Sequence, residues 1–285
     1  MPNVLFPPDG PQTVSHVLDT GFRIFKISLV RGLLFGAMAM IAGQLPNIYS
    51  LLRGEPFGGY LRGEPVAIVL AGLGNVLALF FSAAILIHQR EMAQGTRLPI
   101  RAELAEALRR MWALIGVTLV SIAVLAIVPV AVLVLPDLTA AAAPLRLGFG
   151  LGAAIVAVPV VWLLPGLAMA VVVAVLTPGG MLASLKQGIW LAYRNWWRTM
   201  ITFAVWGVLL VVLNLVAVIL LMLSLQVFGA SDLITLSAAT PVAFVALRAI
   251  GLPFLVAILL AVCGELMVRK QGVDLERRVA GVAQA

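Results

Sequence analysis

Six long stretches of this chain carry no Asp, Glu, Lys or Arg, and they constrain the fold more than any other feature. A helix needs roughly 20 apolar residues to cross about 30 Å of hydrocarbon. Between Arg31 and Arg53 lie 21 uncharged residues, between Glu64 and Arg90 25, and between Arg110 and Asp137 26. Between Arg146 and Lys186 lie 39, between Arg198 and Asp232 33, and between Arg248 and Glu265 16. The last stretch keeps a charge near each end, where long side chains snorkel to the headgroups. The stretches predict spans near 28–48, 66–88, 112–135, 149–176, 200–227 and 243–268. Composition agrees. Residues of the set AVILMFWYC make up 62% and charged residues 11%, against roughly 45–50% and about 25% in soluble domains. A soluble chain of 285 residues has no room to hide that much apolar surface. The single cysteine, Cys263, excludes a disulfide-stapled secreted module. The expectation is an all-α polytopic membrane protein with six transmembrane helices in one membrane domain, 1–285.

Lys and Arg in the loops set orientation. One side gathers Arg23, Lys26 and Arg31, then Arg90, Arg97, Arg101, Arg109 and Arg110, then Lys186, Arg194 and Arg198, then Arg269, Lys270, Arg277 and Arg278. The other side holds Arg53, Arg62, Arg146 and Arg248. A split of 15 against 4 predicts both termini in the cytoplasm of a bacterial cell, with the chain multi-pass in the inner membrane. The opening Met1-Pro2-Asn3 lacks the basic stretch and apolar core of a cleaved signal peptide.

A short amphipathic segment precedes each odd-numbered span: 13–26, 99–111 and 181–197. In the first, Val14, Val17, Leu18, Gly21, Phe22 and Phe25 recur at helical spacing. In the second, Ile100, Leu104, Leu108 and Met111 share one face, and Glu103, Glu106, Arg109 and Arg110 the rest. In the third, Leu182, Leu185, Ile189, Tyr193 and Trp196 follow steps of three or four. Pro11, Pro99 and Pro178 open them, since a first helical turn tolerates the missing N–H. The pattern suggests three helix-plus-hairpin units. These segments are expected in the cytoplasmic interface. Trp196 and Trp197 sit where an aromatic belt belongs, and Arg109, Arg110, Lys186, Arg194 and Arg198 face the anionic inner leaflet. Each such cation adds about 1 kcal/mol of attraction to it. Membrane lipids are therefore the expected partner, with an unidentified protein or a second copy of the chain as the alternative.

The run Pro165-Gly166-Leu167-Ala168-Met169-Ala170, then Leu176-Thr177-Pro178, Ser184-Leu185-Lys186, Leu191 and Asn195-Trp196-Trp197-Arg198, resembles a bacterial inner-membrane family. That family comprises the YciC-like proteins and the membrane region attached to some glycerophosphodiester phosphodiesterases. Asp19-Thr20-Gly21, Phe25 and the pair Gly74-Asn75 are similar to the same pattern. The resemblance implies six spans and an unassigned function. It does not imply hydrolase activity, because no stretch long enough for the phosphodiesterase barrel remains. Gly179-Gly180-Met181 stands where related sequences often carry an acidic residue.

Chemistry-bearing sets are absent from the sequence pattern. His16 and His88 are the only histidines, and no HExxH, paired CxxC, P-loop or GxSxG occurs. Gly148-Phe149-Gly150-Leu151-Gly152 lies in an apolar run, where small residues permit close helix packing. No enzyme activity, cofactor or metal is expected, and topology accounts for the basic charge without nucleic acid. Asn75 and Asn214 are the deepest polar side chains, placed to bond across helices. Pro159 and Pro165 interrupt the fourth span, as in the broken helices that line transport sites. Glu265 sits four residues before Arg269, at ion-pair spacing. Leu52-Arg53-Gly54-Glu55-Pro56 recurs as Leu61-Arg62-Gly63-Glu64-Pro65 in an outer loop. The expected function is a non-enzymatic module acting through lipids or a partner. A small-solute transporter or channel with a site near the fourth span is the alternative, and a membrane lipid enzyme comes last.

Overall fold

The structure, a computed structural model, describes residues 5–53, 64–140, 146–193, 195–227 and 233–271. Nine helices run through them in the order α1 (Val14–Ile27), α2 (Leu29–Gly43), α3 (Leu45–Leu52), α4 (Pro65–Ala93) and α5 (Ile100–Ala140), then α6 (Arg146–Leu176), α7 (Met181–Tyr193), α8 (Trp196–Val227) and α9 (Leu233–Gln271). No strand occurs among the described residues. Five helical stretches are long and apolar enough to cross a bilayer: Pro65–Ala93, Ile100–Ile127, Val158–Leu176, Trp196–Val216 and Val245–Lys270. A sixth is added if α1 and α2 count as one span bent by 86°. The chain is an all-α polytopic membrane protein.

Ser28 makes that bend. Its Oγ donates to Ile24 O at 2.8 Å and its N–H reaches the same carbonyl, which closes α1 before α2 begins. Thr13 caps the other end of α1, where its hydroxyl accepts from the His16 N–H. The expected interfacial segment 13–26 is thus a helix of its own. The segment 99–111 instead runs without a break into the next span as α5, whereas 181–197 divides between α7 and the start of α8.

The chain divides into two compact units, residues 1–111 with 201–285, and residues 112–200. In the first, α2 packs on α4, and α9 packs on α1, α2 and α4. Small residues set the distances. A Cβ built on Gly74 of α4 would lie 2.3 Å from Ala42 O, and one on Gly36 of α2 would lie 2.4 Å from Ala249 O. Pro253 has no N–H to donate to Ala249 O, so α2 approaches α9 at a carbonyl that the helix ladder leaves open. Phe25 of α1 meets Phe254 of α9 edge to face at 5.3 Å, and Phe35 of α2 stacks with Phe81 of α4. The N-terminal segment closes on this unit: Phe6 is buried against Gly264, and the Leu5 N–H donates to Ala93 O.

In the second unit α6 packs along α7. Val117, Leu167, Ala170, Ala174 and Leu185 form its buried core. Gly188 of α7 sits directly on the backbone of Ala170, and Gly166 of α6 on Ile189.

Candidate functional site

The last turns of α4 and the first of α5 are joined by a tight turn through Gly95, whose φ of 76° is left-handed and suits a residue without a Cβ. This turn brings together two residues fifteen apart. His88 Nδ1 lies 2.9 Å from Glu103 Oε1, with both side chains buried. Arg31 Nη1, from the first turn of α2, donates to the same oxygen at 3.2 Å and to Leu98 O at 3.1 Å. A carboxylate oxygen only accepts, so His88 Nδ1 carries the proton and donates. Glu103 is 1% exposed, although helical spacing predicted it among the polar positions of its face. The reason is tertiary. The bend at Ser28 aims the start of α2, with Arg31, at that side of α5. Burying a carboxylate is costly unless it is paired and hydrogen-bonded, and here two donors converge on Oε1. Glu103 Oε2 has no hydrogen-bond partner among the described residues.

This cluster lines a cavity of about 360 Å³ whose wall also includes Lys26, Ile27, Leu29, Val30, Glu91 and Arg97. Glu91 is satisfied: Arg90 pairs with it at 3.3 Å and the Thr96 hydroxyl donates to it. The side chains of Lys26 and Arg97 are exposed and have no partner among the described residues. Ile27, Leu29 and Val30 are exposed apolar residues on the same wall, Val30 at 82%. The site therefore offers two unengaged cations at the surface, a carboxylate and an imidazole in the interior, and an apolar flank. Sequence reasoning missed it because His88 and Glu103 form no motif spacing. The only signal was that a histidine and a glutamate flank one short turn.

Arg109 is exposed, and both it and Arg110 pair with Glu106, at 3.7 and 2.8 Å. In the second unit, Trp196 donates from its indole to Trp162 O at 2.9 Å and meets Trp197 edge to face at 4.8 Å. Trp162, Tyr193, Asn195, Trp196, Trp197 and Arg198 line a second cavity of about 450 Å³ there. Lys186 is exposed on α7, and Arg194 lies outside the described residues. The candidate interface residues thus fall in two groups, one in each unit.

The intramembrane candidates behave differently from expectation. Asn75 donates to Ala71 O at 2.8 Å and Asn214 to Leu210 O at 2.7 Å, so each returns its amide to its own helix instead of bonding across helices. Helix α6 continues through both prolines, with Pro159 exposed and Pro165 buried. Asn214 belongs to the first unit and the prolines to the second. Glu265 does pair with Arg269, as its spacing predicts. Arg53 pairs with Glu64, and the duplicated loop between them, 54–63, lies outside the described residues.

No known protein family, curated protein or solved structure matches this chain.

Proposed function

We propose that this chain is a non-enzymatic inner-membrane module that works by holding membrane lipid at its cytoplasmic face, with both termini in the cytoplasm. The observation that carries this reading is the cavity beside the bend between α1 and α2. Its cations Lys26 and Arg97, without a partner among the described residues, adjoin exposed apolar residues of the same wall, Ile27, Leu29 and Val30. That pairing suits a phosphate headgroup with its acyl chains alongside. The 15-to-4 partition of Lys and Arg supports placing this end of the first unit inside the cell. The second group of basic and aromatic residues, Lys186 with Trp196, Trp197 and Arg198, supports anchoring to the anionic inner leaflet, or docking of a protein partner. Membership in the YciC-like family belongs to the same proposal. The motif residues Pro165-Gly166 and Ser184-Leu185 lie where α6 packs on α7, which is consistent with an architectural motif.

The non-enzymatic reading draws on the surroundings of His88. The two hydroxyls on the cavity wall, those of Ser28 and Thr96, donate to carbonyls of α1 and to Glu91 respectively, and neither donates to the imidazole. Native mass spectrometry of the full chain released from lipid-retaining particles tests the proposal. The expected result is phospholipid retained in stoichiometric amount and lost from the Lys26→Ala, Arg97→Ala double variant. Wild-type protein that sheds all lipid as readily as the variant would overturn it.

A small-solute transporter is the second reading. Buried ionisable groups in membrane proteins commonly mark a transport path, and His88 with Glu103 is such a pair. Substrate-dependent flux in proteoliposomes, abolished by Glu103→Gln, would favour it over the first.

A further inference from the structure

The charges on the cavity wall beside Arg31 do not cancel. Glu103 is matched by Arg31 at 3.2 Å and Glu91 by Arg90 at 3.3 Å. Lys26 and Arg97 remain, exposed and without a partner among the described residues. Two positive charges are thus left for an occupant. The interior adds one polar atom. His88 lines the cavity although only 4% of it is exposed. Its Nδ1–H donates to Glu103 Oε1, which fixes the tautomer and leaves Nε2, turned away from that carboxylate, as a bare acceptor. Nε2 has no partner among the described residues and, unlike Glu103 Oε2, it is not sealed off from the space beside it. A buried acceptor without a donor is costly. The site therefore lacks a ligand that brings negative charge to the mouth and one proton to the imidazole. That combination separates two classes of phosphate. A phosphodiester carries one negative charge and no P–OH. A phosphomonoester loses its last proton with a pKa of about 6, so near neutral pH it has both a second charge to gain and a P–OH to donate.

We infer that this cavity selects a phosphomonoester, and that its source is a lipid whose headgroup is the bare phosphate, of the phosphatidic acid class. The phosphate sits with Lys26 and Arg97, and its P–OH donates to His88 Nε2. As that proton is drawn towards the ring, the phosphate gains negative charge against the two cations, and Glu103 Oε1 steadies the positive charge that develops on the imidazole. Glu103 Oε2 takes no part. The exposed apolar residues Ile27, Leu29 and Val30 lie where the acyl chains leave the headgroup. This inference rests on the lipid-holding proposal and adds the choice of headgroup.

The test is a binding competition on the full chain in mixed micelles, with phosphatidic acid, phosphatidylmethanol and cardiolipin of identical acyl chains. Phosphatidylmethanol differs from phosphatidic acid by one methyl group, which turns the monoester into a diester of nearly the same size. Cardiolipin carries two negative charges on two diesters and has no P–OH. The wild-type chain should hold phosphatidic acid about tenfold more tightly than either, the equivalent of one charged hydrogen bond. His88→Gln removes the ring nitrogen that takes the proton but keeps an amide that can donate to Glu103, and it should bring phosphatidic acid down to the level of its methyl ester. Lys26→Ala and Arg97→Ala should weaken all three lipids. The three-lipid ranking on the unaltered chain decides the question even if His88→Gln does not fold. If phosphatidylmethanol or cardiolipin binds as tightly as phosphatidic acid, the inference is overturned and the lipid-holding proposal stands. Binding of none would overturn both. Soluble glycerol phosphate is the last arm. If it displaces the lipid only at large excess, the lipid is the source. If it binds as tightly as the lipid, the monoester chemistry stands and the lipid source is overturned.

Discussion

Gly188 gives the sharpest test of how the second unit is assembled. A Cβ at this position would lie 2.3 Å from the backbone nitrogen of Ala170, 2.4 Å from its Cα and 2.7 Å from its Cβ. Ordinary carbon contacts are about 3.5–4.0 Å. Because two of those three atoms are backbone, no rotamer change relieves the clash. Helices α6 and α7 must separate by on the order of 1 Å, and the packing of Leu167, Ala170, Ala174 and Leu185 loosens with them. Gly188→Ala is therefore expected to destabilise the chain by about 1–3 kcal/mol, and Gly188→Leu by more. Gly72 and Gly207 are matched controls, since a Cβ on either meets nothing within 4 Å. Alanine at those sites should be neutral or stabilise by up to about 1 kcal/mol, because it removes only glycine's extra backbone freedom. Unfolding in a denaturing detergent, followed by tryptophan fluorescence, measures both. Trp162 and Trp196 report on this unit directly, because their indole-to-carbonyl bond joins α6 to the start of α8. If Gly188→Ala matches Gly72→Ala, the close approach of α6 and α7 is wrong.

Two further substitutions probe the polar groups. His88→Ala leaves buried Glu103 with Arg31 as its only partner on Oε1, and loss of one member of a buried charged set costs about 3–5 kcal/mol. The same unfolding assay should show that loss, and a silent variant would mean that the imidazole does not hold the carboxylate. Asn75→Leu and Asn214→Leu should change stability by less than about 1 kcal/mol, because each amide bonds only one turn back in its own helix. A large effect at either position would point to a contact between helices.

The helices were legible because charge-free runs report directly on what lipid tolerates. The runs 65–89 and 111–136 map onto α4 and α5, and the weakest, 249–264, lies inside α9. The first span was harder. Gly43, Gln44 and Pro46 mark a break that divides it into α2 and α3, and a count of uncharged residues passes over such a break. Amphipathic spacing found α1 and α7 but also separated 99–111 from a helix that in fact continues. Periodicity shows which face of a segment is apolar, and says nothing about whether the next segment shares its axis.

The cavity was not legible, for a related reason. Helical spacing placed Glu103 on a polar face, and polar faces are ordinarily solvated. Its burial depends on Arg31, 72 residues away in sequence, and on the bend at Ser28 that delivers it. Lys26 and Arg97 were counted as topology signals, and the sequence held no sign that they share one cavity wall. Likewise, the glycines that carry the family resemblance, Gly74 and Gly166, are sites of close helix approach. A one-dimensional pattern records their presence, whereas only the packed structure says which backbone they admit.

The most direct test of lipid in this cavity is photocrosslinking in living cells from position 30. Val30 lies on the cavity wall, and Leu119 of α5, also exposed, serves as the comparison. A photoreactive residue at 30 should capture phospholipid enriched in one headgroup class. Adding Lys26→Ala and Arg97→Ala should abolish that enrichment, while adducts from position 119 keep the composition of the bulk membrane throughout. Identical lipid profiles from the two positions, unchanged by loss of both cations, would contradict the account.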